Sequence, residues 1–320
     1  MYLAEVEGKG GINAKLVAYS VSPGGKNIAT FELTYHRYIH GEFMTHRLFS
    51  RNAMSSRAVP IKKMIEIVKS KPATPIHWGK NQPGMKAETV LNKFRKKAAQ
   101  KVWELGASLA CKVTEAMDRI GAHKQISNRL VEPFQMMKTV MTATELDNFF
   151  WLRLDADAQP EIYELARCMK ECLDKSEPEI LYPGQWHTPY VNHYQMKDHT
   201  LGYGLEEKGG EPKIISLEEA LAISSSCCAQ VSYRNLDNTY DKAMAIYGRL
   251  LSGAKVHASP FEHQATPIED LDRTLDSYTP CDFWPKGVTH MDRKGNFWSG
   301  NLMGWVQHRQ LIPGNVVNSV

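Results

Sequence analysis

The chain has no C-x-x-C pair, no apolar run of the roughly 18 residues needed to cross a bilayer, and no low-complexity tract. The first absence removes the usual spacing of a structural zinc site. The six cysteines instead sit as Cys168 and Cys172 one helical turn apart, adjacent Cys227 and Cys228, and isolated Cys111 and Cys281. They read as reduced thiols of a protein in the cytoplasm. Met1 to Gly11 is charged and glycine-rich, unlike a secretory leader. A large charge imbalance is also missing: 39 Lys and Arg against 35 Asp and Glu leave +4. That suits a small anionic substrate and gives no reason to expect a nucleic-acid or membrane partner. What is present is ordinary for a globular protein: 320 residues, 42% hydrophobic and 23% charged, enough for one large core or two smaller ones.

Hydrophobic periodicity predicts two strands over about 14–45, joined by the turn Ser22-Pro23-Gly24-Gly25, with the second strand running from Ala29 to Phe43. Residues 71–85, with Pro72, Pro75, Pro83, Gly79 and Gly84, read as loop. A long helix is predicted from Lys86 to Ile120, with Val90, Leu91, Phe94, Ala98, Val102 and Leu105 as its apolar positions and the lysines as its wet face. Further helices are predicted near 124–137, 143–154 and 159–174, the last with Pro160 in its first turn. Residues 175–213 read as irregular. Ser216 and Glu219 then form a capping box at the head of a helix, and another helix covers about 237–252.

The densest chemistry lies in Thr45–Arg57, T-H-R-L-F-S-R-N-A-M-S-S-R. His46, Arg47, Arg51 and Arg57 stand among Ser50, Asn52, Ser55 and Ser56. Guanidinium forks and hydroxyls are the groups that hold phosphate and planar oxygens, so the residues point to an anion site, with a solvated basic loop as the plainer alternative. A second stretch, 146–162, carries Arg153 among Phe149, Phe150, Trp151 and Leu152, followed by Asp155 and Asp157. An arginine there needs a partner, and Asp155 is the expected structural one.

Thr45–Arg57 resembles the signature of the flavin-dependent thymidylate synthases (ThyX), R-H-R followed by S-x-N-E-x-S-x-R. His46, Arg47, Ser50, Asn52, Ser55 and Arg57 match; Thr45 and Ala53 depart. Residues 148–162 resemble that family's N-F-x-x-L-R-x-D-x-x-A-Q-x-E-I block through Asn148, Phe149, Leu152, Arg153, Asp155, Ala158, Gln159, Glu161 and Ile162. Thr142, Thr144 and Asp157 depart from the usual asparagine, arginine and histidine, which bears on flavin contacts. A third resemblance is out of order. Cys227–Tyr233 (C-C-A-Q-V-S-Y) and His257–His263 (H-A-S-P-F-E-H) are similar to the family's N-terminal signature, and Trp305–Arg309 echoes the strand that leads into R-H-R. That order implies a circular permutation or fusion.

The resemblance implies an α+β fold with an antiparallel sheet and long helices. It divides the chain into 1–180 with the substrate and flavin motifs, a linker or lid at 181–213, and 214–320 with the displaced block. It implies FAD-dependent methylation at C5 of a deoxypyrimidine monophosphate, dUMP to dTMP, with methylenetetrahydrofolate and NADPH as co-substrates. Arg153 would polarise the base. Glu42, Ser55, Ser56, Arg57 and Arg129 would bind the nucleotide. His46, Arg47, Ser50, Asn52, Asn148 and His263 would contact the flavin, with Glu262 orienting His263 or a neighbour. No metal is implied. A homo-oligomer is, either a tetramer or a dimer that mimics one. Two alternatives stand beside this: a hydroxymethylase or methylase acting on dUMP or dCMP, and a non-catalytic nucleotide-binding paralogue.

Overall fold

The structure is a computed structural model that describes residues 3–85, 87–206, 211–232, 239–252, 255–269 and 280–316. In chain order its strands and helices are β1 Glu5–Glu7, β2 Asn13–Val21, β3 Asn27–His36, α1 His40–Phe43, β4 Ser50–Ala53, α2 Ile61–Ser70, α3 Lys93–Arg119, α4 Lys124–Ser127, β5 Met136–Ala143, α5 Asp147–Arg153 and α6 Pro160–Asp174. The second half adds β6 Glu179–Ile180, β7 Asn192–Gln195, β8 Leu201–Leu205, β9 Lys213–Ile215, α7 Leu217–Ala229, α8 Tyr240–Leu251, β10 Ala265–Pro267, β11 His290–Met291, β12 Phe297–Ser299, β13 Leu302–Met303 and β14 Trp305–Gln307. This is the α+β class.

The main sheet has the order β1-β2-β3-β5-β4, antiparallel throughout, with β6 added parallel to β2. The β2–β3 hairpin closes where the glycines predict. Gly25, at φ +76°, takes the left-handed conformation and donates its N–H to the Ser22 carbonyl at 2.9 Å. Side chains on a strand alternate between faces. On β3, Phe31, Leu33 and Tyr35 enter a core shared with Ile162, Leu165 and Met169 of α6 and Met64 of α2. Ile28 and Thr30 face the other way, toward a layer built from the C-terminal part: Ile28 packs with Leu181, Ala265, Leu302 and Trp305. On β5, Val140 contacts Cys228 and Val231 of that same layer. The sheet is thus a middle layer covered on both faces. α7 is buried on nearly every side, from Ala220 to Cys228, as a helix inside a core must be.

Several expectations change. The strand from Ala29 stops at His36, and Arg37–Phe43 turns helical. The predicted helix over 124–137 ends early, and Met136–Ala143 is the strand β5; its Met, Val and Thr residues suit a fully covered position between β3 and β4. α3 begins at Lys93, where the Asn92 side chain caps the Arg95 N–H at 3.0 Å. Its packed face is also different. Ala107, Cys111 and Thr114 touch the body, while Phe94 is 89% and Val102 68% exposed. Small side chains let the helix lie close to the core, which turns the large apolar stripe outward. Asn192–Gln195, Leu201–Leu205 and Lys213–Ile215 form the sheet β7-β8-β9 where an irregular stretch was expected. α6 begins at Pro160 and α7 at the Ser216–Glu219 capping box, as read. Gly253, expected to stop α8, and Tyr233 of the displaced block lie outside the described residues.

Candidate active site

After β3 the chain folds through a 3-10 turn, Arg37–Ile39, into α1 and returns to the sheet as β4. Aromatic packing sets this path. Phe43 is fully buried, with ring centroids 5.3 Å from Tyr35, 5.7 Å from Phe49 and 6.1 Å from Phe149. Tyr35 Oη bonds to His40 Nδ1 and to Thr139 Oγ1, both at 2.8 Å. With these rings fixed inside, His40, Glu42 and Arg51 are left half-buried around them, and His46 is buried against Phe49 and Phe149. Arg51 Nη1 donates to the Phe43 carbonyl at 3.0 Å, and its guanidinium lies 6.0 Å from that ring's centre.

Arg153 ends α5 and donates from Nε to His46 Nε2 at 3.0 Å. Its Nη1 is 3.7 Å from Glu42 Oε2. The expected pairing with Asp155 is replaced by these two partners, because Asp155 Oδ1 turns back to accept the Asp157 N–H at 2.7 Å. An imidazole nitrogen that accepts carries no proton, so His46 is neutral with its proton on Nδ1. Consistently, burial pushes the His46 pKa down to about 4, helped by the charges of Arg153 and Arg51. Burial, Arg37 and Arg51 take His40 to about 4 as well. Three guanidinium groups, Arg37, Arg51 and Arg153, are therefore spaced by two uncharged imidazoles. Stacking of His46 on Phe49 at 5.7 Å and its edge-on contact with Phe149 at 4.8 Å fix the ring.

Arg153 and Glu42 line a cleft of about 1040 Å³ together with Tyr38, Trp103, Gln159 and Glu161. Gln159 caps α6, its side-chain oxygen accepting the N–H groups of Glu161 and Ile162 at 3.0 and 3.1 Å. The charged side chains of the cleft wall are Lys9 and Arg153 among Glu42, Asp157, Glu161 and Glu164. A smaller cavity of about 380 Å³, beside Lys26, Thr144 and Glu145, contains none of the candidate residues.

The phosphate candidates divide. Ser56 Oγ and Arg129 Nη1 meet at Glu132 Oε1, at 2.8 and 2.9 Å. Arg37 Nη2 reaches the same oxygen at 2.8 Å. Asn128 holds the loop, donating to the carbonyls of Ser56 at 2.7 Å and Val59 at 2.9 Å. Arg57 is exposed, and Ser55 is half-buried.

The flavin candidates divide by layer. Arg47 and Asn148 are exposed and His46 is buried beside Arg153. Ser50, Asn52 and His263 lie beneath the C-terminal layer. Ser50 Oγ donates to Asn301 Oδ1 at 3.1 Å and accepts from Gln307 Nε2 at 3.3 Å. Asn52 Nδ2 donates to the Cys228 carbonyl at 3.3 Å. His263 is fully buried, and burial lowers its pKa to about 3. It ends a chain of neutral groups: Ser20 Oγ, His187 Nδ1 and Nε2, Thr30 Oγ1, Thr142 Oγ1 and His263 Nδ1, with successive distances of 2.8, 2.8, 2.6 and 2.9 Å. Thr142, a departure from the family pattern, is thereby committed to this chain. Glu262 pairs with Arg309 instead of orienting His263.

Whether these residues suit a flavin turns on two atoms. His263 Nε2 and Asn52 Oδ1 are buried without a hydrogen-bond partner among the described residues. Unpaired buried polar atoms are costly, and an imidazole nitrogen with an amide oxygen is a pair of groups that suits the mixed donor and acceptor edge of an isoalloxazine ring. The chemistry of these residues fits the group, and in this structure Ser50 and Asn52 are covered by Asn301, Gln307 and the Cys228 carbonyl.

Arg37, His40, Glu132 and His187 carry much of this arrangement and were not singled out from the sequence. Glu132 had a usable signal, its i,i+3 spacing from Arg129. His187 had none. Among the described residues no group of three His, Cys, Asp or Glu side chains is placed to hold a metal. Burial pushes the Cys168 and Cys172 thiols up to about 11 and 12, so neither is a ready nucleophile. No described helix is long and apolar enough to cross a membrane.

A profile of the family described as Thymidylate synthase complementing protein matches residues 20–179. Among solved structures, UMP/dUMP methylase PolB from Streptomyces cacaoi bound with 5-Br UMP is similar over 53% of this chain and 92% of its own, at 18% identity and a TM-score of 0.43. The same enzyme bound with 5-Br dUMP is similar over 53% and 93%, at 16% identity and 0.44. No curated protein matches.

Proposed function

The chain belongs to the thymidylate synthase complementing protein family, and from that premise we propose that it methylates C5 of a deoxypyrimidine monophosphate, converting dUMP to dTMP. The observation that carries this reading is Arg153 at the wall of the cleft of about 1040 Å³, held from behind by His46. For C5 to attack an electrophilic carbon, negative charge must build on the uracil ring and its oxygens. A guanidinium held in place before the reaction stabilises that charge without reorganising. Neutral His46 fixes the plane of Arg153 by accepting from Nε, which leaves Nη2 for substrate while Nη1 is shared with Glu42. Arg37 and Arg51 extend the positive field for the phosphate.

FAD, held by His46, Arg47, Ser50, Asn52, Asn148 and His263, would supply hydride transfer, with NADPH as reductant and methylenetetrahydrofolate as one-carbon donor. Glu42 shares Arg153 and would reach a ribose hydroxyl of the substrate. We read the displaced block as a circular permutation: β14 runs into the 3-10 turn His308–Leu311 as β3 runs into Arg37–Ile39. We also assign a homo-oligomer, a tetramer or a dimer that mimics one, checked by solution mass.

One observation favours a second reading. Ser50 and His263 are enclosed, which suits a nucleotide-binding member that holds no flavin. The absorption spectrum with added FAD, its bleaching by NADPH, and the product mass from dUMP and dCMP offered separately separate the readings. A bleachable flavin and a nucleotide heavier by one methylene-equivalent support the methylase. A product heavier by a hydroxymethyl group, or one formed only from dCMP, selects the sibling enzyme. Nucleotide binding with no flavin at any FAD concentration selects the binding protein.

A further inference from the structure

Glu132 occupies the position of a bound anion. A single oxygen, Oε1, receives Arg37 Nη2 at 2.8 Å, Arg129 Nη1 at 2.9 Å and Ser56 Oγ at 2.8 Å. Two guanidinium groups and a hydroxyl converging on one oxygen form the donor set that recognises a phosphate oxygen. These donors come from three separate segments, the turn after β3, the loop after β4 and the 3-10 helix Asn128–Phe134, so their meeting is a product of the tertiary fold. They are also held there. Ser56 is buried, with its carbonyl clamped by Asn128, and the Arg37 side chain is 16% exposed. The Arg129 side chain is 55% exposed, so the place opens to solvent on that side. Arg37 and Arg129 would repel one another across an empty site, and Glu132 supplies the negative charge that separates them.

We propose that Arg37, Arg129 and Ser56 form the phosphate subsite, and that Glu132 fills it until a phosphomonoester displaces the carboxylate into solvent. The inference rests on the nucleotide reading only for what carries the phosphate. Arg37 is the new member of the subsite and Glu132 its built-in competitor. A phosphomonoester near neutral pH carries about −1.5 to −2 charges and three acceptor oxygens, so it outcompetes one carboxylate. A nucleoside lacks that charge and leaves Glu132 in place. Glu132 therefore makes the site selective for phosphorylated ligands at the expense of affinity. Arg37 also acts on His40, which Arg51 shares, and Arg51 acts on His46 beside Arg153.

The test is titration calorimetry on the full chain with inorganic phosphate, dUMP and deoxyuridine, comparing wild type with Glu132→Ala and Glu132→Gln. Both variants should bind phosphate and dUMP more tightly, Glu132→Ala by about tenfold or more, with deoxyuridine unchanged. Adding Arg129→Ala to Glu132→Ala should remove the gain. Glu132→Gln keeps the side chain's volume and an acceptor oxygen, so it decides the matter if Glu132→Ala does not fold. Phosphate and dUMP affinities that stay level or fall in folded variants overturn the proposal and make Glu132 a structural brace. Tighter phosphate with no dUMP binding by any form supports the subsite and removes the nucleotide reading. Level phosphate with good dUMP binding does the reverse.

Discussion

Acid should unfold this protein through two histidines that the sheet hides. His187 and His263 are fully buried, and burial lowers each pKa from 6.5 to about 3. For His187 the neighbouring His193 and His263 add to that effect. Folded, both stay neutral to about pH 3; unfolded, both take a proton as pH falls through 6.5. The unfolded state thus binds more protons between those limits, so stability is full above 6.5 and drains as pH drops. From pH 7.5 to 5 each histidine costs about 2 kcal/mol, about 4 kcal/mol for the pair, taking 1.36 kcal/mol per pKa unit. That is a large part of the roughly 5–15 kcal/mol that holds a domain together. His40, His46 and His308, lowered to about 4, add to the same window, so the informative quantity is a difference between variants. Urea unfolding followed by far-ultraviolet circular dichroism at pH 7.5 and 5 measures it. His187→Gln with His263→Gln should lose about 4 kcal/mol less than wild type over this interval, whatever its stability at pH 7.5. An equal loss in both proteins would refute the assignment of neutral buried imidazoles.

Arg153→Met should weaken dUMP binding by about 10- to 150-fold, the roughly 1.5–3 kcal/mol of a charge-assisted hydrogen bond. It should also raise the His46 pKa, read by NMR titration, since Arg153 is one of the charges that lower it; a weakened ligand with an unmoved histidine would contradict the pairing. Ser216→Ala removes the reciprocal cap in which Ser216 Oγ accepts from Glu219 N–H at 3.2 Å and Glu219 accepts from Ser216 N–H at 2.7 Å. About 1 kcal/mol should be lost in urea unfolding, with nucleotide affinity unchanged.

How much of this was legible in the sequence depends on how local the cause is. The Ser216 box, the Pro160 start of α6 and the Gly25 turn are short-range chemistry, and each forms as read. β5 was missed because a strand covered on both faces loses the alternation that marks a half-buried one; Met136–Ala143 is buried at nearly every position. α3 was found, yet its packed face was misassigned, because apolar spacing reports an apolar stripe and cannot say which stripe meets the core. Likewise the serine- and arginine-rich motif was recognisable by residue type. The division of its members between rim and interior was not, since that depends on where residues some 200 positions later come to rest. Ser50 and Asn52 are covered by Gln307, Asn301 and the Cys228 carbonyl.

That covering links the two halves of the argument. A histidine, two threonines and a serine between the sheet and the C-terminal layer satisfy one another, and the chain stops at His263 Nε2. Thr142 makes this arrangement workable: a hydroxyl both donates and accepts, so it joins Thr30 to His263. If a flavin is admitted, His263 Nε2 gains a partner while the Thr142 bond need not break. The cost then falls on separating the C-terminal layer from β4, at Ser50 and Asn52. Asn301→Ala and Gln307→Ala, which loosen that contact without touching the Arg153 cleft, should raise FAD affinity measured by flavin fluorescence and leave dUMP affinity level. Unchanged or weaker FAD binding in both folded variants would mean that the C-terminal layer does not obstruct the ring.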